Sequence, residues 1–420
     1  MDRILQRAIT LDKRKTQTCK VFECKVDTSK LSTTSLKHLN KLFIEAKWFY
    51  NYCLSKDNVN LSNTTLKEVP VKVKDQFENR KLDTISSQMK QSIKGKIFDN
   101  LRTLSSLKKK GNHIGKLKFK SIINTIQLKQ FNNTYKINFN KNTIQIQGLK
   151  QKLKVKGLSQ INPETCEIAN AVILRKPSGY YFHITTFKTK EPKTTSNESI
   201  GIDFGCESQL TFSNGIKLKY NIPVNAKIKR LDRKIKRKQK STNKVRADSK
   251  KKRQDQVKRS KSYEKLNNKK KDIKNKIVSA ITKNYKYVII QDENVKGWHS
   301  GRHGKKIQAT SIGGIISDLK HKSETPVVVD RFFPSTQLCL NCGNKQKLSL
   351  DERLYTCQSC GLTKDRDINA ALNIEKEGIK VNKIPMDDRD LKARENLSSA
   401  FYKTLSKIEG IVISKIEFKN

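Results

Sequence analysis

The sequence contains no long apolar run. No stretch approaches the ~18 consecutive apolar residues of a membrane-spanning helix. The first 20 residues are polar and basic and do not resemble the apolar segment of a secretory leader. We therefore expect an intracellular protein, located in the cytoplasm or on the nucleoid.

Acidic residues are scarce, which leaves the chain strongly basic. Its 420 residues include 89 Lys and Arg against 39 Asp and Glu, a formal net charge of +50. Because self-repulsion at this charge destabilises a compact chain, we expect a bound polyanion. Two classes of protein fit this composition: a ribosomal or chromatin-like protein with basic tails, and an enzyme that contacts the phosphates of a long nucleic acid.

The nine cysteines are odd in number, and their pattern argues against a disulfide framework. Four of them form two C-x-x-C pairs separated by fourteen residues, namely Cys339, Cys342, Cys357 and Cys360. Gly343 and Gly361 directly follow the two pairs and permit tight turns. Four thiolates at this spacing predict a tetrahedral zinc site of the ribbon type. All four ligands come from the protein, so the predicted site is structural and not catalytic.

The length suggests two to four domains, at roughly 100–200 residues each. Residues 17–28 alternate like a β-strand, whereas 31–56 have helical periodicity. Short strand-like runs between turn residues fill 115–190 and predict a small barrel or sandwich. A very basic helical tract covers 226–285 and predicts a helical hairpin. Its charged faces are either solvated or bound to a nucleic-acid backbone, and we favour the second interpretation.

Three acidic residues follow or precede regular elements in a way that predicts a second metal site. Asp203 lies at the end of an apolar strand in IGIDFGCESQLTFSNG, Glu293 ends the run YVIIQDE, and Asp367 begins a helix in KDRDINAALNI. Converging carboxylates repel each other unless a divalent cation is bound, and Mg²⁺ suits such ligands. The alternative is that these residues are surface or helix-capping acids, with Asp365 a candidate N-cap.

The segments FFPSTQLCLNCG and YTCQSCGLTKDRDINAALNI, together with the order of strand-Asp, basic helices, strand-Glu and cysteine module, resemble the TnpB family. These are transposon-encoded, RNA-guided DNA endonucleases related to compact type V CRISPR effectors. The resemblance covers essentially the whole chain. It implies an α/β fold: an RNase H-like (RuvC) mixed sheet with an inserted zinc ribbon, an N-terminal β-barrel-like wedge domain and a helical recognition segment.

The resemblance also implies a domain organisation. We expect a wedge domain over 1–28 and 114–198, a helical recognition segment over 29–113, a RuvC-like nuclease domain over 199–334 and 364–380 with the basic hairpin 226–285, a zinc ribbon over 335–363, and a charged C-terminal tail over 381–420.

By the same resemblance, Asp203 and Asp367 are catalytic Mg²⁺ ligands, and Arg366 and Asn369 support the loop that carries Asp367. The middle ligand departs from the family pattern. Many members have E-D-L-N-V-K-G, which places the acid where this chain has Gln291.

A glutamine cannot be an anionic ligand. Glu293 lies two residues further along and keeps the same strand face, because side-chain direction repeats every two residues. We therefore predict Glu293 as the catalytic middle ligand, with Asp292 as the second candidate.

The implied function is Mg²⁺-dependent cleavage of double-stranded DNA beside a short flanking motif. A guide RNA derived from the transposon end would direct it, and we expect the protein to act as a monomer. Two alternatives remain at this point: a nuclease-inactive, RNA-guided repressor of the same lineage, and a DNA transposase.

Overall fold

The computed structural model describes residues 3–56, 59, 62–191, 196–220, 226–241, 250–301, 304–349, 352–384 and 391–415. These residues belong to two compact units, Met1–Lys190 and Glu191–Asn420. Within the described ranges, none of the helices combines the length and the apolar character needed to cross a lipid bilayer.

The first unit is built on a seven-stranded sheet in the order β4-β8-β9-β1-β7-β6-β5. Every neighbouring pair is antiparallel, and the sheet is nearly closed like a barrel. A separate hairpin is formed by β2 and β3. The strands are β1 (Gln17–Val26), β2 (Glu68–Val73), β3 (Gln76–Lys81), β4 (Thr125–Leu128), β5 (Tyr135–Asn138), β6 (Thr143–Ile146), β7 (Leu153–Lys156), β8 (Glu167–Lys176) and β9 (Gly179–Thr189).

Three helices accompany this sheet: α1 (Arg3–Lys15), α2 (Thr33–Leu54) and α3 (Ser87–Lys109). The side chains of Ser32 and Ser86 cap α2 and α3 by accepting backbone N–H groups of the first turn. Both helices bury an apolar face in the same hydrophobic cluster as the strands. The segment 29–113 was expected to be helical. It contains these two helices, but the β2–β3 hairpin was not anticipated.

The second unit contains a six-stranded mixed sheet in the order β14-β13-β10-β11-β12-β17. The pairs β10–β11, β11–β12 and β12–β17 are antiparallel, whereas β10–β13 and β13–β14 are parallel. A small ribbon of β15 and β16 stands apart. The strands are β10 (Ser199–Phe204), β11 (Leu210–Phe212), β12 (Ile216–Tyr220), β13 (Tyr287–Gln291), β14 (Thr325–Val329), β15 (Leu354–Thr356), β16 (Thr363–Asp365) and β17 (Ile411–Lys415).

Helices cover both faces of this mixed sheet. The cluster on one face takes its helical side chains mainly from α5, α8 and α10, and α9 packs on the other face. The helices are α4 (Ala226–Ser241), α5 (Lys250–Asn284), α6 (Val295–Ser300), α7 (Gly304–Thr310), α8 (Ile312–Lys322), α9 (Arg366–Asn382) and α10 (Leu391–Ser406). The mixed α/β architecture and the barrel-like first sheet agree with the expectation from the sequence.

Two parts of the second unit bear on sequence-based expectations. The basic tract forms α4 and α5, which are joined by hydrogen bonds from Tyr263 Oη (2.6 Å) and Arg259 Nε (2.5 Å) to Asp232. The residues between the two arms of the predicted hairpin, 242–249, lie outside the described residues. Residues 391–415, which were expected to belong to a charged tail, instead pack in the second unit: β17 pairs along β12, and Phe401 of α10 is fully buried against Phe212.

The approach of α9 to the sheet is unusually close. A Cβ atom placed on Gly201 of β10 would overlap the carbonyl oxygen of Ala371 and lie 2.7 Å from Cβ of Glu375. On the helix side, a Cβ on Gly378 would overlap the side chain of Ile289 in β13. Because neither position has a side chain, the helix backbone lies directly on β10 and β13.

We predict that Gly201→Ala destabilises the second unit by about 1–3 kcal/mol, because the added methyl group must displace the backbone of α9. Equilibrium unfolding in urea measures the change. Gly115→Ala is the control, since nothing lies within 4 Å of a Cβ at that position. Equal stability of Gly201→Ala and the unmodified protein would mean that α9 does not contact β10 at this glycine.

Candidate active site and metal centre

The same close packing brings Asp203 and Asp367 together. Gly201 of β10 contacts Ala371 of α9. Ser199, two residues earlier in the strand, donates a hydrogen bond from Oγ to Oε1 of Glu375 (2.5 Å), which lies four residues later in the helix. The helix therefore runs antiparallel to the strand. Four helical residues rise about 6 Å and two strand residues about 6.6 Å, so the two periods match. The same spacing, continued by two strand residues and four helix residues, places Asp203 at the end of β10 opposite Asp367 in the first turn of α9.

The electrostatics of Asp203 indicate that Glu293 is also near. Desolvation raises the pKa of Asp203 well above its usual range, and the charges of Asp367 and Glu293 raise it further. Burial, with a contribution from Asp292, raises the pKa of Glu293 to about 7. The structure thus brings the three predicted acids into mutual electrostatic range, although the carboxylate oxygens are not all within 4.8 Å of one another.

Asp292 and Glu293 are adjacent but differ in their partners. The Asp292 carboxylate accepts hydrogen bonds from Lys320 Nζ (3.0 Å) and Arg331 Nη2 (2.6 Å), which lower its pKa. It is therefore already neutralised by two cations. Glu293 lies in a desolvated position and interacts with Asp203. Of the two candidates for the middle acid, Glu293 has the surroundings of a metal ligand.

Gln291, at the position of the expected family glutamate, serves another purpose. Its side-chain Nε2 lies within hydrogen-bond distance of three backbone carbonyls, those of Asp330 (3.1 Å), Arg331 (3.2 Å) and Phe333 (2.7 Å). Its Oε1 accepts a hydrogen bond from Ser335 Oγ (3.0 Å). The buried amide therefore holds the loop 330–335, which leads towards the first cysteine pair, and it does not face the carboxylates as a ligand would.

Sequence reasoning missed Lys217, a residue of β12 whose side chain is only 12% exposed. Its Nζ lies 2.6 Å from Asp365 Oδ1 and 3.2 Å from Asp367 Oδ2. Asp365 also accepts the backbone N–H groups of Asp367 and Ile368, which confirms the N-cap interpretation of this acid. Nothing in the sequence distinguishes Lys217 among 89 basic residues.

The carboxylate cluster fits a divalent cation in its chemistry. Hard oxygen ligands suit Mg²⁺. The desolvated Asp203 and Glu293 and the nearby Asp367 carry more negative charge than Lys217 offsets. A bound cation would relieve the repulsion that raises the pKa of Asp203.

The four cysteines predicted from their spacing form one cluster. The Sγ atoms of Cys339, Cys342, Cys357 and Cys360 all lie within 4.8 Å of one another. The distances Cys339–Cys360 and Cys342–Cys357 are both 3.6 Å. A tetrahedral Zn²⁺ with Zn–S bonds of about 2.3 Å requires S···S separations of about 3.8 Å. The thiol geometry therefore fits a metal ion of this kind.

Two matching turns produce this cluster. The backbone N–H of Gly343 donates to the carbonyl of Cys339, and that of Gly361 to the carbonyl of Cys357, both at 3.0 Å. The glycines have φ of +73° and +71°, a conformation that other residues rarely adopt. A hydrogen bond from the Cys360 backbone helps to lower the pKa of the Cys357 thiol to about 6, which favours the thiolate that binds metal.

The thiol module is fastened to α9 by two buried asparagines. Asn369 Nδ2 donates to the carbonyl of Leu338 (2.7 Å), and Asn373 Nδ2 donates to those of Ser335 (2.9 Å) and Leu338 (2.8 Å). Arg366 donates through Nη1 to the carbonyl of Ser349 (2.9 Å). The supporting roles expected for Asn369 and Arg366 thus correspond to contacts between the helix that carries Asp367 and the cysteine module.

Comparison with known families finds two matches. Residues 315–374 match the model described as "Cas12f1-like, TNB domain", and residues 182–300 match the model described as "Probable transposase". The first match contains all four cysteines and Asp367, and the second contains Asp203 and Glu293.

Two curated relatives illustrate the similarity. A "Putative RNA-guided DNA endonuclease" of Streptomyces pristinaespiralis is 28% identical over 225 residues, which is 52% of this chain and 54% of the relative. The "TnpB-like protein L79" of Acanthamoeba polyphaga mimivirus is 32% identical over 125 residues, which is 27% of this chain and 24% of the relative. The chain thus spans about half the length, or less, of these relatives.

Among solved structures, the "Cryo-EM structure of the Cas12f1-sgRNA-target DNA complex" is similar with a TM-score of 0.42 and 15% sequence identity. The alignment covers 81% of this chain and 80% of that chain. A TM-score at this level does not establish a shared fold.

We predict that Cys357→Ser lowers bound zinc well below about one equivalent per chain, because three thiolates and a hydroxyl hold the ion less tightly than four thiolates. Metal analysis of the purified protein measures this. Cys19→Ser, at an exposed cysteine outside the cluster, is the control and should keep its zinc. Full zinc content in Cys357→Ser would contradict a four-thiolate site.

We predict that Glu293→Gln stabilises the protein at pH 8 but not at pH 5, in buffer without added Mg²⁺. The folded-state pKa of about 7 lies above the usual 4.5, so folding is favoured while Glu293 is protonated and loses this contribution as the pH rises through 7. Glutamine stays neutral, so its advantage should grow to about 1–3 kcal/mol. Urea unfolding at both pH values measures it.

The exposed Glu352→Gln is the matched control and should show no such pH dependence. A Glu293→Gln effect of the same size at both pH values would mean that the carboxyl is not desolvated.

Proposed function

We propose that this chain, which belongs to the TnpB family, is a metal-dependent DNA endonuclease that takes its sequence specificity from a guide RNA. The family assignment rests on the two matched models and the named relatives.

One observation carries the nuclease proposal: Asp203, Glu293 and Asp367 come from three separate segments, and the charges of Asp367 and Glu293 add to the burial that raises the pKa of Asp203. Acids arranged in this way destabilise the protein unless something positive joins them, so they are expected at functional sites. We infer that they bind Mg²⁺ and are the catalytic residues.

The second sheet supports an RNase H-like (RuvC) assignment. Its first three strands are consecutive and antiparallel, two parallel strands extend it beyond β10, and Asp203 lies on the first strand. We assign residues 199–334 and 364–380, together with α10 and β17, to this nuclease domain and residues 335–363 to the zinc ribbon. The barrel-like sheet and the helices of the first unit would then be the wedge domain and the recognition segment.

In the proposed mechanism, Asp203, Glu293 and Asp367 bind and orient the cation. Bound Mg²⁺ would supply the positive charge that positions the scissile phosphate and activates water for hydrolysis. Lys217 holds the carboxylates of Asp365 and Asp367, and the N-cap of Asp365 fixes the first turn of α9. Arg331 and Lys320 neutralise the Asp292 carboxylate, so this acid would not compete for the cation.

Zinc, in this proposal, has a structural role. The ribbon of β15 and β16 ends at Asp365, directly before the helix that carries Asp367. The asparagine contacts from α9 fasten the other end of the module. A thiol cluster with bound zinc would therefore stabilise the position of α9, and with it Asp367, through the strand β16 and through the two asparagines.

The net charge of +50 supports a large nucleic-acid partner. We propose a guide RNA from the transposon end and double-stranded target DNA. Base pairing between them would read the sequence, while the protein would contact the backbone and a short flanking motif. The helices α4 and α5, whose sequences are rich in Lys and Arg, are candidates for part of the backbone contact.

A DNA transposase is the second candidate, because the matched model for residues 182–300 is described as a probable transposase. A nuclease-inactive repressor of the same lineage is the third, because Gln291 stands at the expected position of the middle acid.

The deciding experiment uses protein purified from cells that also carry its native flanking DNA. Co-purifying RNA is sequenced, and the complex is incubated with Mg²⁺ and a plasmid library with randomised flanks. A defined RNA with cleavage beside a fixed motif supports the guided nuclease. Binding without cleavage supports the repressor, and strand joining without a defined RNA supports the transposase.

We predict that Asp203→Ala and Glu293→Gln each lower the cleavage rate by about 10²–10⁴-fold, since each removes a group that positions the reacting water or its cation. Asp292→Asn is the matched control and should change the rate by less than about tenfold, because its carboxylate is held by Lys320 and Arg331. If Asp292→Asn abolished cleavage while Glu293→Gln did not, the assignment of the middle acid would be reversed.

A further inference from the structure

Phe332 is exposed in an unexpected place. Its side chain is 86% exposed, the largest value among the exposed large apolar residues of the described chain. It lies in the loop between β14 and the cysteine module, beside Phe333, which packs against the core under α9. Because single exposed apolar residues are common on protein surfaces, the role of this ring is inferred from the loop that holds it and not from its exposure alone.

The loop that carries this ring is firmly held. The Gln291 amide contacts the carbonyls of Asp330, Arg331 and Phe333, on both sides of Phe332. The backbone N–H of Phe332 itself donates to Asp330 Oδ1 (2.7 Å). The exposure of the ring therefore results from a fixed backbone and not from a loosely attached segment, and binding to it would require little additional ordering.

The ring also belongs to a loop that is bound to the segment carrying Glu293. Its neighbour Arg331 contacts Asp292 through both Nη2 (2.6 Å to Oδ2) and Nε (3.2 Å to the carbonyl oxygen). Glu293 is the next residue after Asp292, and Arg331 is near enough to act on its charge. A nucleic-acid strand bound at the carboxylates would therefore lie beside the loop that carries Phe332.

We propose that Phe332 is a stacking platform for an unpaired nucleobase of the single DNA strand that enters the carboxylate site. Aromatic faces bind bases of any sequence and require that the base be unpaired. A stacked base next to the site would fix the register of the strand, while the carboxylates and their cation act on its backbone. This proposal rests on the proposed nuclease function, but its test does not use cleavage.

The test measures binding of a short oligothymidine strand that contains one 2-aminopurine, by full-length protein with its co-purified RNA. All variants carry Asp203→Asn, so that no strand is cut. Phe332→Leu keeps apolar bulk but removes the aromatic face, whereas Phe332→Tyr keeps the face. We expect Phe332→Leu to weaken binding about 5- to 150-fold and to restore 2-aminopurine fluorescence, and Phe332→Tyr to match the parent.

Two comparisons make the outcome decisive. The same strand in a duplex should bind all variants equally, because its bases already stack on each other. An abasic strand should bind the parent and Phe332→Leu equally. The proposal is overturned if Phe332→Leu binds the single strand as tightly as the parent, or if Phe332→Tyr loses as much affinity as Phe332→Leu. Since the ring is exposed, unchanged thermal unfolding of both variants is expected and excludes misfolding.

Discussion

The contact between Gly201 and the backbone of α9 is the constraint on which the second unit depends. Because no side chain separates them, strand and helix periods run side by side, and Asp367 reaches Asp203 one step beyond the contact. The same helix uses Asn369 and Asn373 to hold the chain before the first cysteine pair. A single element thus fixes both the third carboxylate and the approach to the thiol cluster, so a shift of α9 would disturb both together.

The acids in and beside the carboxylate site differ in how closely basic side chains contact them. Two pairs of nearby acids are present, and in each pair one member lies closer to a cation than the other. Asp292 is bound by Lys320 and Arg331, whereas the adjacent Glu293 is desolvated. Asp365 caps α9 and contacts Lys217 at 2.6 Å, whereas Asp367 contacts the same Nζ at 3.2 Å. Negative charge therefore remains where a cation would reduce its cost.

Local patterns predicted what depends on short-range chemistry. Cysteine spacing with a following glycine implied the two turns, and the structure has both glycines at positive φ. Strand alternation and helical periodicity located β1, α2 and the β-rich half of the first unit. The addition of β17 to β12 was not predictable, because pairing over such a separation leaves no periodic signal at either strand. Lys217 was missed for a different reason: its role depends on tertiary burial, and its residue type is abundant throughout the chain.

Gln291 explains how the acid of the family motif can stand two residues later in this chain. Its amide faces three backbone carbonyls that need a hydrogen-bond donor, and a carboxylate at this position would place lone pairs against them. The amide therefore suits the loop 330–335 better than an acid would. Glu293 lies beyond the end of β13, where its charge acts on Asp203, so it can supply the acid that position 291 lacks. The contacts of the Gln291 amide with the loop 330–335 and the position of the acid at residue 293 are therefore linked. Neither Gln291→Glu nor Glu293→Leu alone would restore the common family arrangement.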